Sequence, residues 1–117
     1  MAQPHDAPDA AELVTAVREF LARDVLPAGE GRVGFHARVA VNVLGMVERE
    51  LALGPAQDTA HAARLAALGV RSDAELAAAI RSGDFDDRDA ELQAALRESV
   101  RAKLLVANPD YLSLPPA

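Results

Sequence analysis

Alanine is the most frequent residue of this chain, with 26 of 117 residues, and larger apolar residues recur between the alanines at helical spacing. Alanine has the highest helix propensity because its side chain loses no rotamer freedom when a helix forms. No segment alternates apolar and polar residues over the length that a strand needs. The sequence therefore predicts an all-α fold, a compact bundle of about five helices with a central second helix.

Five segments combine helical periodicity with start and end signals, and they span residues 10–26, 32–53, 57–68, 72–83 and 90–107. In the first helix, Leu13, Val17, Phe20 and Leu21 share one face, which we expect to point inward. The second helix is apolar over most of its circumference, which is typical of a central helix. We expect the following residues of the last three helices to be buried: Leu65, Leu68, Leu76, Ile80, Leu92, Leu96, Val100 and Leu104.

Several helix ends have specific signals. Asp9 with Glu12, and Ser72 with Glu75, have the spacing of a capping box. Gly69 followed by Val70 predicts a Schellman ending. Gly54 and Pro55 predict the end of the second helix, because proline cannot donate the next backbone hydrogen bond.

The length fits one domain. We predict a flexible N-terminus over residues 1–8, a single helical domain over 9–112, and a flexible tail over 113–117. Near that tail, we expect Tyr111, Leu112 and Leu114 to dock on the domain or to meet a partner.

Composition excludes several classes of function. The chain has no cysteine and a net charge of −6, so disulfides and thiolate chemistry are excluded and nucleic acid is an improbable partner. The longest apolar segment, residues 39–47, is too short to cross a bilayer, and the first nine residues lack the features of a signal peptide. We therefore expect a cytoplasmic protein with no membrane association.

Residues 29–34 match the glycine spacing of a dinucleotide-binding loop. That loop works only between a strand and a helix, and here the glycines follow a predicted helix that ends at Pro27. We expect an ordinary loop before a helix. The alternative is that the amides at the helix start, together with Arg32, hold an anion.

Arg38, Asn42, Gly45 and Arg49 form a polar and small-residue stripe on the second helix. A solvated face or a salt bridge to another helix is the simplest interpretation. The more specific interpretation is that the stripe is a contact surface for another protein or an anionic ligand. His36 lies near this stripe, and we expect a structural role for it.

No catalytic motif is present, and the three histidines lack the spacing of metal ligands. The acidic residues 84–91 lack the glycine and the glutamate of a calcium loop. We therefore predict no catalytic residues, no metal and no cofactor.

The chain resembles a small bacterial family catalogued as DUF6285, over about residues 4–112. The second helix, Phe35-His36-Ala37-Arg38-Val39-Ala40 with Asn42, carries the most specific part of the resemblance. The other matching segments are residues 5–8, 12–13, 17–21, 49–51, 80–83, 103–104 and 106–109. Gly29 and Gly34 depart from the family pattern, in which bulkier residues are typical.

The resemblance implies a partner. Similar small proteins are encoded beside, or fused to, aminoglycoside-phosphotransferase-like kinases, often near acyl-CoA dehydrogenases. We therefore expect a non-catalytic accessory subunit of a hydroxyacyl-CoA kinase. The alternatives are a protein that binds acyl-CoA or another anion, and a self-associating structural domain that forms a homodimer. The candidate interface or anion-binding residues are Arg32, His36, Arg38, Asn42, Arg49 and Tyr111.

Overall fold

A computed structural model describes residue 4 and residues 6–113 of the chain. It contains four α-helices, α1 (Ala10–Phe20), α2 (Gly31–Ala67), α3 (Asp73–Arg81) and α4 (Asp89–Ala107). A π-helical turn at Leu21–Val25 follows α1, and a 3-10 turn at Pro109–Ser113 follows α4. These residues include no strand, so the all-α prediction is confirmed.

The chain divides into two compact units, Met1–Ala52 and Leu53–Ala117, which are described separately below. The flexible ends that we predicted fall largely outside the described residues. Residues 1–3, residue 5 and residues 114–117, including Leu114, are among those outside.

The predicted helix end at Gly54 and Pro55 is wrong, because α2 continues through both residues to Ala67. Our second and third predicted helices are therefore one, and the count is four rather than five. Proline removes a single backbone donor from the helix, at a cost of about 3 kcal/mol. The helical hydrogen bonds on both sides of Pro55 are kept. Its carbonyl also accepts a bond from the Thr59 hydroxyl, with 3.2 Å between the oxygens.

The start of the first unit follows the prediction. The Asp9 carboxylate accepts a hydrogen bond from the Glu12 amide at 2.8 Å, and the Glu12 carboxylate accepts one from the Asp9 amide at 3.2 Å. This reciprocal pair is the predicted capping box. At the other end, the Leu26 amide bonds the Leu21 carbonyl five residues earlier, which makes the last turn π-helical rather than α-helical.

The apolar face of α1 does not point inward as we expected. Leu13, Val17 and Phe20 are 53%, 52% and 55% exposed. Helical periodicity correctly places the three side chains on one face, but no described residue of the first unit buries them, whereas Leu21, the fourth residue expected on this face, is half-buried. Ala37 is the only buried residue among the described residues of this unit. Although α2 is apolar over most of its circumference, most of its apolar side chains in this unit are therefore not buried.

Two glycines allow the loop before α2 to lie close to the helix. A Cβ atom on Gly34 would lie 2.8 Å from the carbonyl oxygen of Gly29. A Cβ atom on Gly29 would lie 3.1 Å from both the Gly34 nitrogen and the Val25 oxygen. The glycine pattern therefore has a packing role, which our sequence analysis did not assign to it.

The helix ends of the second unit follow local sequence signals. The Ser72 hydroxyl caps α3 by accepting a bond from the Glu75 amide at 3.1 Å. The Glu75 carboxylate accepts from the Arg71 amide at 2.8 Å, one residue earlier than in a capping box. After α2, Gly69 takes a positive φ of 84°, and the Val70 amide bonds the Leu65 carbonyl at 3.0 Å. This bond is the predicted Schellman motif.

The second unit has a small core built from α2, α3, α4 and the turn between α3 and α4. Its buried members are Leu65, Leu68, Leu76, Phe85 and Leu92. Four of these five were predicted from helical spacing, whereas Phe85 lies between two predicted helices, where helical spacing assigns no face. The predicted burial of Ile80, Leu96 and Val100 is wrong, since all three are exposed. Ile80 and Leu96 are each four residues after a core leucine, on the same helix faces, but they are not members of this core.

Candidate functional site

The five candidate residues of α2 do not form one cluster. Arg32, His36, Arg38, Asn42 and Arg49 belong to α2 in the first unit, whereas Tyr111 lies in the 3-10 turn of the second unit. Successive residues of an α-helix are separated by about 100° around its axis. His36 and Arg38 therefore point to nearly opposite sides of α2, although they are two residues apart.

Arg32 and His36 line an open groove of ≈ 440 Å³ in the first unit. The other lining residues are apolar: Leu21, Val25, Val33, Ala37 and Ala40. A cation and an imidazole beside an apolar floor suit an amphipathic anion. Arg38 is not part of this lining, so Arg32 and His36 are the two candidate anion-binding residues that share this groove.

Phe35, Arg38 and Asn42 lie at spacing i, i+3 and i+7 on another side of α2. We call these three residues the Phe35 face. All three are exposed, and Phe35 is 62% exposed. The Phe35 ring meets the His36 ring edge to face, with 5.4 Å between centroids. A large aromatic residue beside a cation and an amide, all in solvent, is a composition that protein interfaces favour.

The remaining members of the predicted polar stripe are less exposed. Gly45 and Arg49 are half-buried. A Cβ atom on Gly45 would lie 3.3 Å from Nη1 of Arg49, so the glycine leaves room for the guanidinium group. Arg49 therefore belongs to the packing of the first unit as well as to its polar stripe.

A polar cluster that the sequence did not predict joins α1 to α2. The Thr15 hydroxyl donates to Oε2 of Glu48 at 2.7 Å, and Nε of Arg18 donates to Oε1 of the same carboxylate. The Thr15 hydrogen bond, followed by the Arg18 hydrogen bond, lowers the pKa of Glu48 below its ordinary value. The partners are 33 and 30 residues away in sequence, so no local pattern could have revealed them.

A second unpredicted cluster joins α2, α3 and α4 in the second unit. Nε2 of His61 lies 2.9 Å from Oδ1 of Asp73, and Nδ1 lies 3.4 Å from the Ser99 hydroxyl. A neutral His61 with its proton on Nε2 would satisfy both contacts. The residue types are those of a hydrolase triad. However, Ser99 lies inside α4, where backbone amides are committed to the helix and cannot stabilise an oxyanion. We interpret the cluster as a structural connection between three helices.

The tail after α4 is partly docked. Leu112 is half-buried and lines a groove of ≈ 350 Å³ with residues of α4, including Leu96, Val100 and Leu104. Tyr111 is 57% exposed beside it. Docking on the body, one of the two alternatives that we considered, therefore holds for Leu112, whereas contact of Tyr111 with a partner stays a prediction.

Two absences concern only the part of the chain that the structure describes. Within it, no three histidine, aspartate or glutamate side chains are grouped so that they could hold a metal ion. Within it, no helix combines the length and hydropathy that crossing a membrane requires.

Residues 27–111 match the family model of a domain of unknown function, DUF6285. The match covers more than half of the chain, so the protein belongs to this family. It includes all of α2, α3 and α4 and leaves out α1. Neither a curated protein nor a solved structure matches the chain.

Proposed function

We propose that this protein is a non-catalytic accessory subunit that acts by protein–protein contact. The observation that carries the proposal is the Phe35 face, where Phe35, Arg38 and Asn42 are all exposed on one side of α2. A phenylalanine that is 62% exposed costs free energy in water, which a partner surface would recover. Aromatic residues and arginine are also the side chains that most often dominate binding energy at interfaces.

The proposed partner is an aminoglycoside-phosphotransferase-like kinase that acts on a hydroxyacyl-CoA in the cytoplasm. This partner comes from the family resemblance described above, in which such kinases are neighbours of similar small proteins. The net charge of −6 makes nucleic acid an improbable alternative partner. The subunit would support the kinase without contributing residues to phosphoryl transfer.

Co-expression with an aminoglycoside-phosphotransferase-like kinase from the same genome tests the proposal. The two proteins should co-purify, and the kinase should lose stability or activity when it is produced alone. A kinase that is equally stable and active without this protein would overturn the proposal.

Two substitutions test the Phe35 face itself. Arg38→Glu and Phe35→Ala should each weaken the complex by about tenfold or more, as expected for interface anchors. Arg101→Glu, an exposed charge reversal on α4, is the matched control and should leave the affinity unchanged. Because all three side chains are exposed, circular dichroism should show the same helix content in every variant. Equal affinity of all variants would exclude this face.

The groove lined by Arg32 and His36 supports a second candidate function, the binding of an acyl-CoA or a similar amphipathic anion. A ligand that binds only the folded protein raises its melting temperature. Acyl-CoA should therefore produce a thermal shift that Arg32→Ala reduces and Arg38→Ala does not. No shift at millimolar acyl-CoA would remove this candidate.

A further inference from the structure

A row of exposed residues with heptad-like spacing runs along one side of α2 within the first unit. Its members are separated by four, three, four, three and four residues, which keeps them on one side of the helix. They are Arg32, His36, Val39, Val43, Met46 and Glu50, and we call them the heptad stripe. All six residues are exposed. The stripe extends over five turns, or about 27 Å at 1.5 Å per residue.

The heptad stripe is turned away from α1. Glu48 marks the side of α2 that faces α1, because its carboxylate binds Thr15 and Arg18 there. Met46 and Glu50 are each two residues from Glu48, which places them about 200° around the helix axis. No residue of α1 therefore covers the stripe, and Leu21 and Val25, in the turn after α1, share a groove with Arg32 and His36 at one end of it. Val39, Val43 and Met46 remain 42%, 49% and 39% exposed.

Two copies of the stripe that run in opposite directions place complementary residues opposite each other. When two copies run antiparallel, Arg32 of each meets Glu50 of the other, and His36 meets Met46. Val39 then meets Val43 on both sides of the two-fold axis. The apolar residues fill the centre, and one ion pair forms at each end. In a parallel pair, Arg32 would face Arg32 and Glu50 would face Glu50, which is unfavourable at both ends.

We propose that a second copy of this chain covers the heptad stripe, forming a two-fold symmetric, antiparallel helix pair centred between Val39 and Val43. Closed two-fold dimers are the most common oligomers of soluble proteins, and their interfaces must be self-complementary. The stripe meets this requirement in length, in apolar content and in charge. The dimer goes beyond the accessory role proposed above and does not depend on it. Arg38 and Asn42 point to a different side of α2, whereas Phe35 borders the stripe through its ring contact with His36.

The mass in solution is the first test. Sedimentation or light scattering over a range of concentrations should show a transition to twice the 12.3 kDa chain mass. Val43→Asp, which places a charge at the centre of the stripe, should give a monomer with unchanged helix content. Val100→Asp, an exposed valine on α4 in the second unit, is the matched control and should still dimerise. A monomer at every concentration, or a dimer that Val43→Asp does not weaken, would overturn the proposal.

Charge reversal tests the antiparallel direction. Arg32→Glu and Glu50→Arg should each raise the dissociation constant about threefold to tenfold, because each creates two like-charge contacts per dimer. The double variant restores opposite charges and should return the dissociation constant close to that of the natural sequence. In a parallel pair each single variant would only exchange one like-charge pair for another and leave the dissociation constant unchanged. Unchanged single variants, or a double variant that does not recover, would contradict the antiparallel arrangement.

Cross-linking provides an independent test, because the natural chain has no cysteine. A mixture of His36→Cys and Met46→Cys chains, treated with a short bifunctional thiol reagent, should give a covalent heterodimer. His36→Cys chains alone should give little product, since the two His36 positions of an antiparallel pair are well separated. Efficient cross-linking of His36→Cys with itself would exclude the proposed register.

Discussion

Gly34 approaches the carbonyl oxygen of Gly29 so closely that a Cβ atom on Gly34 would lie 2.8 Å from that oxygen. The contact fixes the loop before α2 against the first turn of the helix, next to the groove that Arg32 and His36 line. Backbone rather than side chain occupies the space, so a larger residue cannot be accommodated by a rotamer change.

Gly34→Ala should therefore destabilise the protein by about 1–3 kcal/mol, which is typical when an added methyl group forces the backbone to shift. The intrinsic helix preference of alanine over glycine, about 0.5–1 kcal/mol, recovers only part of that loss. Gly45→Ala is the matched control, because its new methyl group meets only the end of the Arg49 side chain. That variant should be neutral or slightly more stable. Urea denaturation of both variants measures the difference, and equal stabilities would contradict the close approach.

Glu48→Gln should cost no more than about 1 kcal/mol at neutral pH, since the carboxylate that binds Thr15 and Arg18 is partly exposed. The pKa of Glu48 is lowered in the folded state, so the charged carboxylate stabilises the fold at pH values above its ordinary pKa of 4.5. That contribution is lost as pH falls through the lowered, folded-state pKa.

Urea denaturation at neutral pH and at successively lower pH values tests this dependence. The advantage of the natural chain over Glu48→Gln should shrink below pH 4.5 and then disappear. Glu98→Gln, an exposed substitution on α4, serves as the control. A gap between the natural chain and Glu48→Gln that stays constant down to pH 2 would show that the ion pair does not form.

Phe85→Ala should destabilise the second unit by about 3–5 kcal/mol, as expected for deleting a buried aromatic ring. The Phe85 side chain is 5% exposed and packs with the core leucines of this unit. The Arg88 guanidinium also lies over its ring, 5.0 Å from the centroid. Ile80→Ala, at an exposed position that the sequence assigned to the core, should cost about 1 kcal/mol or less. Thermal denaturation compares the two, and a larger loss from Ile80→Ala would contradict the core described above.

Pro55→Ala should raise the stability of the protein by up to about 3 kcal/mol, because alanine restores the backbone donor and removes the steric clash inside α2. Pro27→Ala is the control, and it should lower the stability of the protein. Pro27 lies in a turn, where losing a rigid residue costs about 0.4–1 kcal/mol through the unfolded chain. Thermal melts distinguish the two effects. A destabilising Pro55→Ala substitution would argue that α2 is interrupted at this residue.

The parts of the fold that the sequence revealed are those that depend on neighbours within one helical turn. The Asp9–Glu12 capping box, the Ser72 cap and the Schellman motif at Gly69 each join residues three to five positions apart. Helical spacing also identified four of the five core residues of the second unit, because the side of a helix on which a residue lies follows from its number alone.

Among the candidate site residues, the sequence identified exposed side chains but not their grouping. Arg38 and Asn42 were correctly placed on one stripe, because their spacing of four residues fixes that relation. We extended the same stripe to Arg49, whose guanidinium group uses the room that Gly45 leaves. The sequence also placed His36 with Arg38, although the helix separates them by about 200°.

By itself, the sequence determined that the chain is helical, where most helices begin and end, and which residues share a helix face. Only the tertiary structure decided that α2 continues through Pro55, and that Phe20 and Val43 are exposed to about half of their surface within the described part of the chain. It alone brought Glu48 to Arg18 and His61 to Ser99. The physical reason is distance along the chain. Capping and periodicity involve contacts over a few residues, whereas the covering of a face depends on a partner segment that the local sequence does not specify.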